Sequence, residues 1–300
     1  MSELITTHSL GKTYGSRTVV QNLDLRVPEG CVYGFLGPNG SGKSTTMKML
    51  LSLVRPTSGE VHIMGRRMQR STRRDLLGEI GSLIEAPPAY AHLTGRENMR
   101  LVQRLLDLGN GQVNRAVQIV RLQNHLDKRV LDYSLGMKQR LGIAMALARE
   151  PRLLILDEPT NGLDPAGIEE MRHLLTQLAD GGTTVMVSSH LLGEIDRTAT
   201  VLGILSNGHM LFQGTREQLF DRSVPDVLID TPAPERAAAL AARWSANRDG
   251  DRVRIPGLDH ATTAQVVAHL VNERVAIHGV RREEQSLEDV FMDLTGGRGL

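Results

Sequence analysis

The sequence predicts an α/β domain with a parallel sheet, followed by a small α+β domain. Three observations carry the first part. Leu153-Leu154-Ile155-Leu156 is a continuous apolar run, the pattern of a strand covered on both faces. Behind it, Ile168, Met171, Leu174, Leu175 and Leu178 form the buried stripe of a helix that stops at Gly181-Gly182. Residues 183–189 then read as the next strand. Strand–helix–strand alternation of this kind implies parallel pairing through crossovers.

The other elements follow in chain order. Leu23, Leu25 and Val27 alternate with Asp24 and Arg26, the period of a half-buried strand. Gly59 and Gly65 bracket a short strand at 60–64, so the early elements read as a partly antiparallel β-layer. Between them lie an apolar strand at 32–36, a Gly-rich turn and a helix over about 43–53. Residues 86–150 or so read as a helical subdomain. There, Thr94-Gly95-Arg96-Glu97 matches a capping box, in which threonine and glutamate satisfy free N–H groups at a helix start. Leu101, Val102, Leu105 and Leu106 follow at helical spacing, and the helix is expected to stop around Gly109-Asn110-Gly111. Asp164-Pro165 is an N-cap and first-turn pair. Near 216 the pattern changes again, so the expected domains are 1–215 and 216–300. In the second, strands are expected at 227–229, 252–255 and 275–277, with helices at 235–244, 263–272 and 286–294.

Composition sets outer bounds. Three hundred residues with net charge +1 leave ample chain for a core and no bulk electrostatic case for nucleic-acid or membrane-surface binding. The local exception is Arg66, Arg67, Arg70, Arg73 and Arg74, which reads as a solvated face because Asp75 and Glu79 follow. The single cysteine, Cys31, permits no intramolecular disulfide and reads as a small core residue. Residues 1–7 have neither the basic nor the apolar stretch of a signal peptide. No run approaches the roughly 18 apolar residues of a membrane helix, so any membrane process would need a separate spanning partner.

The chemistry concentrates in two motifs. Gly37-Pro38-Asn39-Gly40-Ser41-Gly42-Lys43-Ser44 fits the P-loop pattern G-x-x-x-x-G-K-[ST], with a strand before it and a helix after it. Its glycines let successive N–H groups turn inward as an anion nest at a helix N-terminus. Lys43 would neutralise the β- and γ-phosphates, Ser44 would ligate Mg²⁺, and Thr45 sits where a hydroxyl meets the α-phosphate. Leu153-Leu154-Ile155-Leu156-Asp157-Glu158 looks like the Walker B strand that completes such a site. Asp157 would hold Mg²⁺, and Glu158 would orient or deprotonate the attacking water. Together they predict a P-loop nucleotide triphosphatase.

Which kind is decided by Tyr133-Ser134-Leu135-Gly136-Met137, which resembles the signature of ATP-binding cassette (ABC) proteins. Ser134 can cap the following helix, and Gly136 permits close approach of a phosphate. The resemblance implies that this second anion site serves the ATP of the opposite subunit in a head-to-tail homodimer. It further implies that Tyr14 stacks on adenine, against the plainer reading of a packing tyrosine. Asn161-Gly162-Leu163-Asp164 would be the D-loop, with Asp164 also capping the next helix. His190 would contact the γ-phosphate.

Two departures stand out. Leu135 and Met137 replace the usual glycine and glutamine of the signature. Glu85, in 80–88, replaces the usual glutamine of the Q-loop, where a carboxylate can reach Mg²⁺ or the attacking water. Glu85 with Leu93-Thr94-Gly95-Arg96-Glu97-Asn98 is similar to cassettes of bacitracin- and lantibiotic-type exporters, and Gln285-Ser286-Leu287-Glu288-Asp289-Val290-Phe291 to the ending of drug-exporter cassettes.

The resemblance thus implies an ATPase at the cytoplasmic face of the membrane, binding ATP and Mg²⁺ and powering a separate integral membrane permease. The permease would dock near 85–104. The C-terminal domain would be structural or dimer-stabilising. The rival readings are a non-transport ABC ATPase acting on ribosomes or DNA, and a nucleotide-binding regulator with weak hydrolysis. The chain has neither the paired cassettes of the ribosome type nor the long coiled-coil insertion of the DNA-repair type, and no nucleic-acid partner is expected.

Overall fold

The structure, a computed structural model, describes residues 2–85, 87–190, 193, 198–220, 225–283 and 290. Two compact units form, Met1–Thr215 and Arg216–Gly299.

In the first unit, an antiparallel layer is built from β1 (Glu3–Tyr14), β2 (Arg17–Leu23), β3 (Arg26–Pro28), β5 (Ser58–Ile63) and β6 (Arg66–Arg67), in the order β2-β1-β5-β6 with β3 also on β1. The second sheet contains β4 (Val32–Leu36), β7 (Ile80–Leu83), β8 (Leu153–Leu156), β9 (Thr184–Ser189), β10 (Val201–Ser206) and β11 (His209–Thr215), in the order β11-β10-β4-β9-β8-β7. All its pairs are parallel except the β10–β11 hairpin. β4, β8 and β9 are buried along their whole length, as strands covered on both faces must be.

Helix α1 (Lys43–Leu50) ties the two sheets together. Its Met47, Met49 and Leu50 belong to one buried cluster with Leu4, Ile5, Leu25 and Val61 of the antiparallel layer and Phe35, Ile155 and Met186 of the parallel sheet. The helix is shorter than the expected 43–53. It stops at Leu51, and Ser52 adopts φ 56°, which turns the chain out.

The helical part contains α2 (Arg73–Gly78), α3 (Gly95–Leu106), α4 (Asn110–Ile119) and α5 (Leu135–Leu147). The capping box at Thr94 forms, with Glu97 accepting the Thr94 N–H at 2.8 Å. Gly109-Asn110-Gly111 does not end a helix but opens one. α3 has already closed at Leu106, with Asp107 left-handed, and Gln112 accepts the Gly109 N–H at 3.0 Å to start α4. The apolar stripe of α3 is only partly covered, and Leu105 is 83 % exposed. α6 (Pro165–Asp180) follows β8 and buries Met171, Leu174, Leu175 and Leu178.

The second unit is an antiparallel sheet of β12 (Asp226–Asp230), β13 (Asn247–Asp249), β14 (Arg252–Ile255) and β15 (Gly279–Glu283), in the order β13-β14-β12-β15. The strand expected at 275–277 is displaced to β15. Val275 instead donates its N–H to Leu270 O at 2.9 Å, closing the helix His260–Asn272, and its side chain fills the core beside Val266. Apolarity there marks packing, and the ladder begins only at Gly279, opposite Asp230. The helix expected at 235–244 becomes Pro234–Leu240 and a 3-10 turn, Ala242–Trp244. The expected final helix, and most of the exporter-like ending 285–291, lie outside the described residues.

Cys31 sits in the core of the first unit and donates to Pro28 O at 3.1 Å. Burial pushes its thiol up to about 11. Iodoacetamide at pH 8 should therefore leave Cys31 unmodified in the folded protein and alkylate it in urea. Mass spectrometry reads this directly, and rapid modification of the native chain would contradict the burial.

Candidate functional site

Parallel pairing puts the carboxyl ends of β4, β9, β8 and β7 along one edge, the place where open α/β sheets bind ligands. Leu36 pairs with Ser189 and Leu156 with Val187. The P-loop and His190 therefore leave the sheet at one level, and Asp157-Glu158 leaves the neighbouring strand two residues lower, because Leu156 is level with Val187 and Gly34.

The P-loop folds tightly between these strands and β10. Gly42 sits at φ 109°, and a Cβ there would lie 2.8 Å from Val19 O, so both conformation and space require glycine. Gly37 is equally confined, because a Cβ would collide with Leu205 O. Pro38 closes the loop by accepting the Ser41 N–H at 3.1 Å. Asn39, Gly40, Gly42, Lys43, Ser44 and Thr45 line an open pocket of about 250 Å³, with Arg17, Val19 and Glu158 on its other walls.

Lys43 is 5 % exposed. Its ammonium donates to Gly37 O at 2.6 Å and Pro38 O at 3.3 Å, and lies 3.7 Å from Glu158 Oε1. Burial pushes the Lys43 ammonium below its ordinary value, while the Glu158 and Asp157 carboxylates oppose that shift. His190 Nδ1 lies 2.9 Å from Glu158 Oε2, so the ring donates to the carboxylate. Glu158 itself holds φ 49°, a left-handed conformation that is uncommon without glycine. Ser188 fixes it there, accepting the Glu158 N–H at 2.9 Å and donating to Asp157 Oδ1 at 2.6 Å.

The remaining predicted residues fall outside this pocket. Tyr14 ends β1 directly opposite Arg17, with its ring 48 % exposed and Lys12 Nζ 4.7 Å from the ring centre. Glu85, with φ 67°, follows β7 and is 70 % exposed, ion-paired to Lys48 of α1 at 2.5 Å. That ammonium holds the Glu85 carboxyl below the ordinary carboxylate value, and Lys48 is raised in turn. Ser134, Gly136 and Asp164 line a second pocket of about 480 Å³ that shares no residue with the first. Ser134 caps α5 by accepting the Met137 N–H at 3.3 Å, and Asp164 caps α6 by accepting that of Gly167 at 3.1 Å. Gly162, beside Leu135, holds φ 76°, the left-handed conformation that favours glycine.

Arg17, Val19 and Ser188 were not singled out in the sequence. Arg17 and Val19 reach the pocket only through the β1–β2 hairpin. Ser188 carried one signal, its place two residues before His190 at a strand end.

The donor set can be tested against an oxyanion and its cation. Ser41 Oγ is buried with no partner among the described residues, and Lys43 is held on carbonyls that a phosphate oxygen can replace. Ser44 and Asp157 add oxygen donors, suited to a hard divalent ion that completes its shell with phosphate and water. Both groups fit the residues present. The strength of the Ser188 contacts is measurable. Ser188→Ala orphans a buried N–H and a carboxylate oxygen, so a loss of about 1–3 kcal/mol is expected in urea unfolding. A stability within 0.5 kcal/mol or so of the parent would show the contacts to be incidental.

A family model described as ABC transporter matches residues 20–161. The chain is 38 % identical to the bacitracin transport ATP-binding protein BcrA of Enterococcus faecalis, over 100 % of this chain and 99 % of that protein. It is 44 % identical to the lantibiotic transport ATP-binding protein SrtF of Streptococcus pyogenes, over 72 % of this chain and 95 % of that one. Among solved structures it resembles a dimeric ATP-binding cassette in a post-hydrolysis state with ADP and phosphate, at TM-score 0.63 and 25 % identity, covering 70 % of this chain and 98 % of that one. The chain therefore belongs to the ABC transporter family, as one of its ATP-binding, ATP-hydrolysing cassettes.

Proposed function

We propose that this cassette powers the export of a drug or peptide antibiotic through a separate membrane permease, at the cytoplasmic face. The observation that carries its ATPase role is the convergence of Lys43, Asp157, Glu158 and His190 at the carboxyl ends of adjacent strands. The export reading is supported by the relatives named for bacitracin and lantibiotic transport, which match 100 % and 72 % of the chain. No helix of the described residues is long and apolar enough to cross a membrane, so the spanning part would be another chain. The partly uncovered face of α3, with Leu101 and Leu105, and exposed Tyr90 offer the permease an apolar surface within the expected region near 85–104.

Within the pocket, Lys43 would exchange the carbonyls of Gly37 and Pro38 for phosphate oxygens, aided by the N–H groups of 39–45 and the Ser41 hydroxyl. Ser44 and Asp157 would hold Mg²⁺, whose contribution is to spread the charge of the phosphates. Glu158 would orient the attacking water and take its proton, with His190 keeping the carboxylate aimed. Tyr14 would stack on the adenine from the hairpin edge. The separate pocket of Ser134, Gly136 and Asp164 would close over the nucleotide of a second copy, giving a head-to-tail homodimer.

The 216–300 domain would serve structure or dimerisation. Glu85 would couple the site to the permease. Its added charge is matched by Lys48, on the same helix that begins with Lys43 and Ser44.

In Glu158→Gln, ATP turnover should fall by about 100-fold or more while nucleotide binding persists. Undiminished hydrolysis, measured as phosphate release, would sink the assignment. For Glu85→Ala, permease-stimulated ATPase and transport should both drop, with ATP affinity held. Unchanged values of both would remove Glu85 from the coupling path.

A further inference from the structure

A third concavity lies outside both pockets, where the end of α1, β5 and the segment from β6 into α2 meet. It is a groove of about 950 Å³. Its floor is apolar, with Met49 and Val61 buried and Met68 packed on the core, while Leu53 stands 65 % exposed within it. Its rim carries Arg55, Arg67, Arg70 and Arg73. The one acid among the lining residues, Glu60, is taken by Arg67 at 2.9 Å. Arg55, Arg70 and Arg73 have no ion-pair partner among the described residues.

This changes the reading of the arginine cluster as a self-neutralised face. Asp75 pairs with Arg66 at 3.2 Å, outside the groove, and Arg55 joins the rim from a different part of the chain. Three guanidinium groups lining one groove concentrate positive potential there, although the whole chain carries only +1. Guanidinium forks match phosphate oxygens in pairs, more closely than an ammonium does. A small inorganic anion would use only the rim. An anionic amphiphile would use rim and floor together.

The position of the groove points the same way. The groove takes in the end of α1, where Met49 lines it and the preceding residue, Lys48, is bound to Glu85. We propose that this groove seats the phosphate headgroup of an anionic phospholipid of the bilayer, with Arg55, Arg70 and Arg73 on the phosphate and Leu53 and Met68 against its carbons. The proposal rests on the reading of this cassette as a permease-bound subunit. It adds a direct lipid contact beside the protein one.

The test is co-sedimentation of the full chain with vesicles of phosphatidylglycerol and phosphatidylcholine in equal parts, against phosphatidylcholine alone. The parent should bind only the anionic vesicles, and less as salt is raised. At about a factor of five for each arginine near an anionic surface, Arg55→Gln/Arg70→Gln/Arg73→Gln should lose on the order of a hundredfold. Removing the same charge at Arg243, Arg248 and Arg274 should leave vesicle binding intact, and the groove variant should keep its basal ATPase rate. Equal loss in both triple variants, or none in either, would overturn the proposal. So would release from vesicles by millimolar inorganic phosphate as complete as that by short-chain phosphatidylglycerol, which would mark a free-phosphate site. A groove variant that loses the permease but keeps the vesicles would assign the surface to protein instead. Failure of the parent chain to join any permease, with groove-dependent vesicle binding intact, would strike the transporter reading alone.

Discussion

The register between β4, β9 and β8 is the constraint from which the site follows. Leu36 opposite Ser189 sets the β4 and β9 exits level, and Leu156 opposite Val187 sets the β8 exit two residues below them. A slip of one residue in any of these strands would reverse its side chains and carry Gly37, Asp157 or His190 away from the other two. What holds the register is burial on both faces. Leu36, Leu156, Val187 and their neighbours leave no solvent-facing side to which a slipped strand could turn.

Within that frame the site is organised by charge. A buried ammonium is unfavourable in isolation, and Lys43 is tolerated because two backbone carbonyls and the carboxylates of Asp157 and Glu158 surround it. The same carboxylates would repel an incoming phosphate if they stood alone, so the lysine serves both states. Ser188 then connects the two acids through one hydroxyl, accepting from the backbone of Glu158 and donating to Asp157. Glu158 is held in its uncommon backbone conformation by these contacts and by His190, and needs no glycine.

Much of this was legible in the sequence because it is local. Glycines, a lysine and a serine at fixed spacing determine the P-loop within eight residues, and an apolar run followed by two acids marks the β8 exit. Caps at Thr94, Ser134 and Asp164 were legible for the same reason. Features that depend on distant parts of the chain were not. Arg17 becomes a pocket wall only when the hairpin folds back, and Arg55 joins Arg70 and Arg73 only across β5. Val275 shows a third limit. Its apolarity signals burial equally well in a strand or in a connection, and the backbone of Leu270 had already claimed its N–H.

The eight residues of α1 span about 12 Å, at 1.5 Å per residue. Lys43 and Ser44 stand at one end of this rod, Lys48 with its bond to Glu85 near the other, and Met49 at the start of the arginine groove. So short a helix, packed in the core between two sheets, holds its two ends at a fixed separation. A nucleotide that moved the loop at Lys43 would, through this one element, also move Lys48 and its bond to Glu85.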